Sequence, residues 1–247
     1  MSSDFYTSIA KFYQHIFPFN PAQIEFLRKV LPCNGAKVLD VGCATGDLSF
    51  ALAHFGFPTW AFDSDAQMIE LAQNTKLQDT MFPVFEQLDM RLIGEHYPEA
   101  FFDTVICFGN TLVHLLNDDD ILEFLQCINR VLAPDGKLTI QILNYRHILD
   151  NQIQSLPFID TEHISFERHY LFTEGADRID FNTRLTVKAD GRVIENSVKL
   201  YAIRQNKLQE LLEEAGFEAF DYFGSFKAEP LTSTSLPLIV SCQKQNK

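Results

Sequence analysis

Between Lys37 and Leu143 the sequence alternates short apolar runs with longer stretches of helical periodicity, and this alternation narrows the fold more than any other feature. The runs lie at 37–41 (KVLDV), 58–62, 83–87, 102–108 and 137–143, with helical patterns at about 47–54, 65–74 and 118–132. Strands this apolar have no face suited to water. Separated by helices, they imply a parallel sheet covered on both sides. Asp118 or Asp119 is expected to cap the helix that precedes Pro134-Asp135-Gly136, a turn sequence. The segment from Asp4 to Leu31 is also helical in pattern, with Ile9, Phe12, Tyr13 and Ile16 and then Ile24, Leu27 and Leu31 in register. Pro18 and Pro21 divide it, and Asn20 is a suitable cap with Pro21 at the first helical position.

The periodicity then changes. From about His163 to Ile203 residues alternate with period two: Ile179, Phe181, Leu185 and Val187 share one face, and Asp180, Asn182, Arg184 and Thr186 the other. Asp190-Gly191 marks a hairpin. The reading is an antiparallel β flap, about 157–203, inserted into a doubly wound α/β domain. A helix near 205–215, stopped by Gly216, and two strands near 217–223 and 238–242 follow. The length, 247 residues, suits one domain with N-terminal helices and this insertion.

Composition narrows the function. The net charge is −13, with no Lys/Arg cluster. Such a surface repels nucleic acid and anionic membranes. No apolar run reaches the ~20 residues needed to cross a bilayer, and the N-terminus lacks the basic start and apolar stretch of a signal peptide. Cys33, Cys43, Cys107, Cys127 and Cys242 are scattered and form no CxxC pair, as expected of reduced thiols in a cytoplasmic protein. The 23 phenylalanines are expected mainly in the core. Asp118-Asp119-Asp120 suits a helix N-terminus better than a metal, and no metal is expected.

The chemistry concentrates at Val38-Leu39-Asp40-Val41-Gly42-Cys43-Ala44-Thr45-Gly46, an apolar strand running into a small-residue turn and then a helix. Ligands of open parallel sheets sit at such turns. The Gly-Lys-Ser/Thr ending of a phosphate loop is missing, and a dinucleotide fingerprint would place glycines where Ala44 and Asp47 stand. Asp47 puts a carboxylate where pyrophosphate would sit. A nucleoside without phosphates fits better, and Asp40 could face a cationic amino acid group on it. Asp63, ending the next apolar run, suits both ribose hydroxyls. Asp89 suits an adenine amino group, with Leu88 and Met90 on the ring faces. Phe108 to His114 follow the fourth run.

VLDVGCATGDLS, AFDSDAQMIELA, QLDM and FDTVICFGNTLVHL, in this order, resemble the motifs of class I S-adenosylmethionine-dependent methyltransferases. FGNTLVHL resembles glycine/sarcosine N-methyltransferase-like members in particular. KLQELLEEAGFEAFDYFGSF and PLIVSCQK resemble that family's last helix and closing strands. The resemblance implies a Rossmann-like seven-stranded sheet and S-adenosyl-L-methionine as cofactor. Gly42, Cys43, Ala44 and Gly46 would line its amino acid moiety, with Asp40 nearby. Asp63 and Ser64 would hold the ribose beside Met68, and Asp89 and Met90 the adenine. Phe108, Asn110 and His114 would border the sulfonium, and Tyr13 would cap the cofactor. Glycine is common in the family where Ala44 stands.

The expected activity is methyl transfer to a small-molecule acceptor, N or O, by in-line displacement that relies on proximity and orientation. His114, Asn144, Arg184 and Tyr201 are candidate acceptor contacts, and no residue is assigned a catalytic role. A non-enzymatic S-adenosylmethionine-binding protein is the alternative, followed by an NAD(P)-dependent oxidoreductase. The chain is expected to be a monomer or homodimer.

Overall fold

The computed structural model describes residues 3–31, 33, 35–75, 80–173 and 177–246. Three short helices, α1 (Ser3–Ile9), α2 (Tyr13–Ile16) and α3 (Pro21–Val30), lead the chain, with a 3-10 turn at Ala10–Phe12. Asn20 caps α3 as its sequence suggests, its side chain accepting from the Ala22 N–H at 3.1 Å. The alternating region follows as β1 (Val38–Val41), α4 (Asp47–His54), β2 (Thr59–Asp63), α5 (Ala66–Thr75) and β3 (Val84–Gln87). It continues with α6 (Ile93–His96), β4 (Phe102–Cys107), α7 (Asp118–Val131) and β5 (Leu132–Leu143).

The strands form a seven-stranded sheet in the order β10-β11-β5-β4-β1-β2-β3, where β10 is Phe217–Phe223 and β11 is Pro237–Lys244. Strand β11 runs antiparallel to both its neighbours, and the other neighbouring pairs are parallel. All four residues of β1 are buried, and Leu39, Val41, Val105, Leu138 and Ile140 join one central cluster with Ile121, Phe124, Leu125 and Ile128 of α7. Chain order reverses between β1 and β4, so a crevice opens beyond their carboxyl ends.

Two boundaries differ from the sequence reading. The cap of α7 is Asn117, whose side chain accepts from the Asp120 N–H at 2.8 Å, so Asp118–Asp120 fill the first turn. Strand β5 begins at Leu132, ahead of the Pro134-Asp135-Gly136 turn, because the chain already pairs with β4 at Phe102 before a register shift. Helix α8 (Tyr145–Asp150) was not evident from periodicity, being too short to display it.

The inserted flap is a separate four-stranded antiparallel sheet, β6 (Ile159–Asp160), β7 (Ile164–Phe172), β8 (Arg178–Val187) and β9 (Val193–Tyr201). Helix α9 (Gln205–Glu214) returns the chain to the main sheet. The flap's apolar face rests on the N-terminal helices: Ile164, Phe166 and Leu185 are fully buried with Phe5, Ile9 and Ile16. Ala10, with Tyr6 and Tyr13 beside it, packs in turn against Ala44 and Met68 of the α/β body. The N-terminal helices therefore lie between flap and sheet, over the crevice.

Candidate functional site

The turn after β1 is built on left-handed backbone. Gly42, Ala44 and Gly46 have φ of 72°, 48° and 83°, a region that disfavours side chains. A Cβ on Gly42 would stand 2.5 Å from Thr111 Cγ2, and one on Gly46 2.5 Å from the Phe85 ring. Thr111 begins the 3-10 turn Thr111–His114 after β4, so this contact sets the spacing between the two loops that flank the crevice.

Two cavities adjoin there. The first, about 520 Å³, reaches from the β1 turn (Asp40, Gly42, Cys43, Ala44) past Phe108 and Asn110 to the flap residues Arg168, Tyr170 and Phe181. The second, about 600 Å³, lies along the ends of β2 and β3 and is lined by Asp63, Ser64, Met68, Leu88, Asp89 and Met90. Tyr6, Tyr13, Gly42, Ala44, Gly109 and His114 line both.

Three carboxylates give the crevice its electrostatic character. Asp40 is buried, and loss of hydration pushes its pKa up to about 7 against the opposing pull of the 2.6 Å bond from Ser49 Oγ. Asp63 ends β2 and bridges two loops, Oδ2 accepting from the Ala44 N–H at 3.0 Å and Oδ1 from the Asp65 N–H at 2.9 Å. Burial raises its pKa too, against those bonds. Asp65, not Asp63, caps α5, accepting from the N–H groups of Gln67 and Met68. Thr7 Oγ1 also donates to Asp65, at 2.6 Å, tying α1 to the sheet. The third carboxylate, Asp47, accepts from Thr45 Oγ1 and Gln14 Nε2. Among the described residues no cation lines the β1 turn, so phosphates have no counter-charge there, whereas a ligand bearing sulfonium and ammonium groups meets acids.

His114 stands where the cavities meet. Its Nε2 and Tyr6 Oη share a hydrogen bond of 2.8 Å, and burial pushes its pKa down to about 4. Burial also raises the Tyr6 pKa. At neutral pH the pair is an uncharged imidazole and a protonated phenol. Asn110 is left-handed at φ 67° and fixed on both sides, Nδ2 donating to Tyr145 Oη at 2.9 Å and Oδ1 accepting from the Leu143 N–H at 2.9 Å. Asp89 is held by Arg91, Nη2 to Oδ2 at 2.6 Å, which lowers its pKa and leaves it ionised.

Of the residues expected at the cofactor, all but Gly46 line one cavity or both. Gly46 is committed to packing on Phe85. Three expected acceptor contacts are not brought to the site. Asn144 caps α8 through the His147 N–H and donates to the Ser235 carbonyl. Arg184 points to the flap's outer face, paired with Glu195 at 2.8 Å. The Tyr201 hydroxyl donates to Asp118. Each satisfies local structure, the common fate of polar residues at turns and on strand faces. Sequence reasoning missed Tyr6, whose signal was its spacing of seven from Tyr13, two helical turns. It also missed Arg168, a cation in the period-two register of Ile164, Phe166 and Tyr170.

Comparison with known proteins agrees with this fold. A methyltransferase domain family model matches residues 8–221. A glycine/sarcosine N-methyltransferase of Aphanothece halophytica is 30% identical over 207 residues, covering 82% of this chain and 74% of that protein. An S-adenosylmethionine-dependent methyltransferase of Clostridium acetobutylicum shares the fold at a TM-score of 0.81 and 16% identity, over 98% of this chain and 99% of that one. The S-adenosylmethionine-bound amino pentose methyltransferase CalS10 of Micromonospora echinaspora superposes at a TM-score of 0.68 and 17% identity, over 94% of each chain. The chain belongs to the class I methyltransferases, enzymes that draw their methyl group from S-adenosylmethionine.

Proposed function

We propose that this enzyme methylates the nitrogen of a small-molecule amine at the junction of the two cavities, with the flap and the N-terminal helices as its lid. The observation that carries the reading is the Tyr6–His114 pair lining both cavities at once. The second cavity suits adenosine: Asp63 and Ser64 for the ribose, Leu88, Asp89 and Met90 for the base. Asp40 and the backbone of Gly42 to Ala44 suit the methionine end. Bound there, S-adenosylmethionine supplies a methyl group on a good leaving group, ready for in-line displacement.

The chain's part is placement and keeping the amine neutral. An amine reaches the site as ammonium and must lose a proton before its lone pair can attack. His114 is neutral above about pH 5 because its pKa sits near 4, so the junction adds no positive charge against the sulfonium, and the same burial favours the unprotonated form of the amine. The Tyr6 hydroxyl fixes the ring plane. Asn110, clamped by Tyr145 and Leu143, presents a rigid wall. A lid of packed helices and strands excludes water and holds the reactants at contact, the effect that dominates bimolecular transfer. The relatives' N-methyltransferase activity supports nitrogen over oxygen.

A screen of small amines and alcohols with methyl-labelled cofactor, following S-adenosylhomocysteine release, tests the proposal. Labelled N-methyl product is expected, and His114→Asn should reduce turnover by about 100-fold, the scale of misplaced reactants. Methylation of oxygen acceptors alone would overturn it.

A further inference from the structure

We propose that the outer part of the first cavity receives an apolar body on the acceptor, so that the substrate is an amphipathic amine carrying an aromatic ring or a branched alkyl chain. This deepens the reading of the junction as the methyl-transfer site and rests on it. Two apolar tripeptides, each centred on a proline, stand at that part of the wall: Phe17-Pro18-Phe19 after α2 and Leu156-Pro157-Phe158 before β6. All but Phe158 line the cavity. Phe17 and Phe19 are 36% and 38% exposed, and Phe158 is 60% exposed. Large apolar side chains left in water beside a cavity mark a surface that something covers. Each rim is held by partners of its own. The Phe17 ring lies 5.2 Å from Tyr13 and 6.2 Å from Phe166, centre to centre. The segment 154–156 runs antiparallel beside β7, with the Leu156 N–H on the Arg168 carbonyl at 3.0 Å and the Tyr170 N–H on the Gln154 carbonyl at 2.8 Å. Arg168 Nη2 then donates to the Pro157 carbonyl at 2.6 Å, fixing the proline against the flap.

The same character continues inward, where Ile16, Leu143, Phe181, Leu200 and Leu236 line the cavity. Two polar side chains of the lining are already committed. Asn20 accepts from the Ala22 N–H, and Gln141 Oε1 accepts from the Gly109 N–H at 2.9 Å. The acids Asp40 and Asp47 stand at the β1 turn, the end assigned to the cofactor, with hydroxyl and amide partners. Volume points the same way. About 520 Å³ lies in the range of ~300–1,000 Å³ that encloses drug-sized ligands, and the methionine end of the cofactor takes only the part beside the β1 turn. A compact polar amine at the junction would leave the remaining apolar wall wet. A ring or branched chain displaces that water, with a gain proportional to the apolar area covered. The acceptor nitrogen then lies toward His114 and Asn110, and its apolar body toward the two tripeptides.

Phenethylamine and ethylamine, titrated calorimetrically into the full chain with and without saturating S-adenosylhomocysteine, test the subsite. Wild type should bind phenethylamine at least tenfold more tightly than ethylamine, the scale of burying one ring. Phe17→Ser together with Phe19→Ser should cut that ratio at least fivefold, with S-adenosylhomocysteine affinity within twofold of wild type. If the double variant does not fold, Phe19→Ser alone carries the comparison, with at least a twofold cut. Equal binding of the two amines by wild type, or an unchanged ratio in the variants, overturns the proposal. An unchanged ratio with a lower mass in sedimentation also overturns it, and assigns the rim to contact between copies of the chain. So does a loss of S-adenosylhomocysteine affinity in the variants, which would assign the phenylalanines to the cofactor. With methyl-labelled cofactor, kcat/KM for phenethylamine should exceed that for glycine and sarcosine at least tenfold. Preference for glycine or sarcosine overturns the apolar acceptor and leaves N-methylation standing. Tight phenethylamine binding without methyl transfer to any amine refutes the methyl-transfer reading instead, and the binding ratio still decides the subsite.

Discussion

Asp40 and His114 are displaced from their ordinary titration ranges by the same cause, loss of water, and the consequences for stability have opposite signs. The folded Asp40 holds its proton up to about pH 7, against an ordinary carboxyl value of 3.8. The native state therefore binds more protons than the unfolded chain between these limits, and stability falls as pH rises across them. Asp40→Asn should raise stability at pH 8 by about 2 kcal/mol while weakening S-adenosylmethionine, read by denaturant melts and calorimetry; unchanged stability at pH 8 would remove the claim of a costly buried charge. For His114 the folded pKa lies near 4 and the unfolded near 6.5. There the unfolded chain binds more protons, so stability falls as pH drops from 6.5 toward 4, and a variant lacking the imidazole should show a flatter melting profile in that window. Asp63 was legible in the sequence as a crevice residue because a carboxylate ends an apolar strand. Asp63 and Asp65 both precede α5, and the bonds to Gln67 and Met68 give the cap of that helix to Asp65. Asp63→Ala should accordingly cost about 1.5–3 kcal/mol of cofactor affinity and leave the fold intact, as calorimetry and circular dichroism would report. Asn144, Arg184 and Tyr201 misled because sequence gives a residue's type and face but not which local carbonyl or carboxylate claims it.

At the scale of elements, strand and helix positions in the α/β body follow the periodicity closely, because buried parallel strands have few other ways to be written. The flap was equally legible through its alternation and its Asp190-Gly191 turn, where the Gly191 N–H bonds the Val187 carbonyl. What rested on its apolar face was not legible, since that partner is more than a hundred residues away. It is the N-terminal helices, through Phe5, Ile9 and Ile16. These short helices cannot hold themselves, and their stability comes from this packing. Two expectations follow. Phe166→Ala should cost about 3–5 kcal/mol, the range for emptying a phenylalanine site, in equilibrium unfolding. Amide exchange should show α1 and strands β7 and β8 losing protection together, ahead of β1 and β4; independent exchange of α1 and the flap would show that they are not one lid.

Over the whole molecule, the charge of −13 and the carboxylates at the crevice favour a compact cationic cofactor over a phosphate-rich one. The sheet order, with its reversal between β1 and β4, puts the crevice where the motifs meet. Among the described residues no helix is long and apolar enough to cross a membrane. The two cavities, one beside Asp63 and one beneath the flap, make a single site only if one ligand bridges the residues they share. The most direct measurement is a calorimetric titration of the full chain with S-adenosylhomocysteine, with NADH as the control. The account predicts saturable binding at one site per chain, with a matching rise in melting temperature, and no heat from NADH. The absence of binding at millimolar S-adenosylhomocysteine, or binding of NADH in its place, would contradict it.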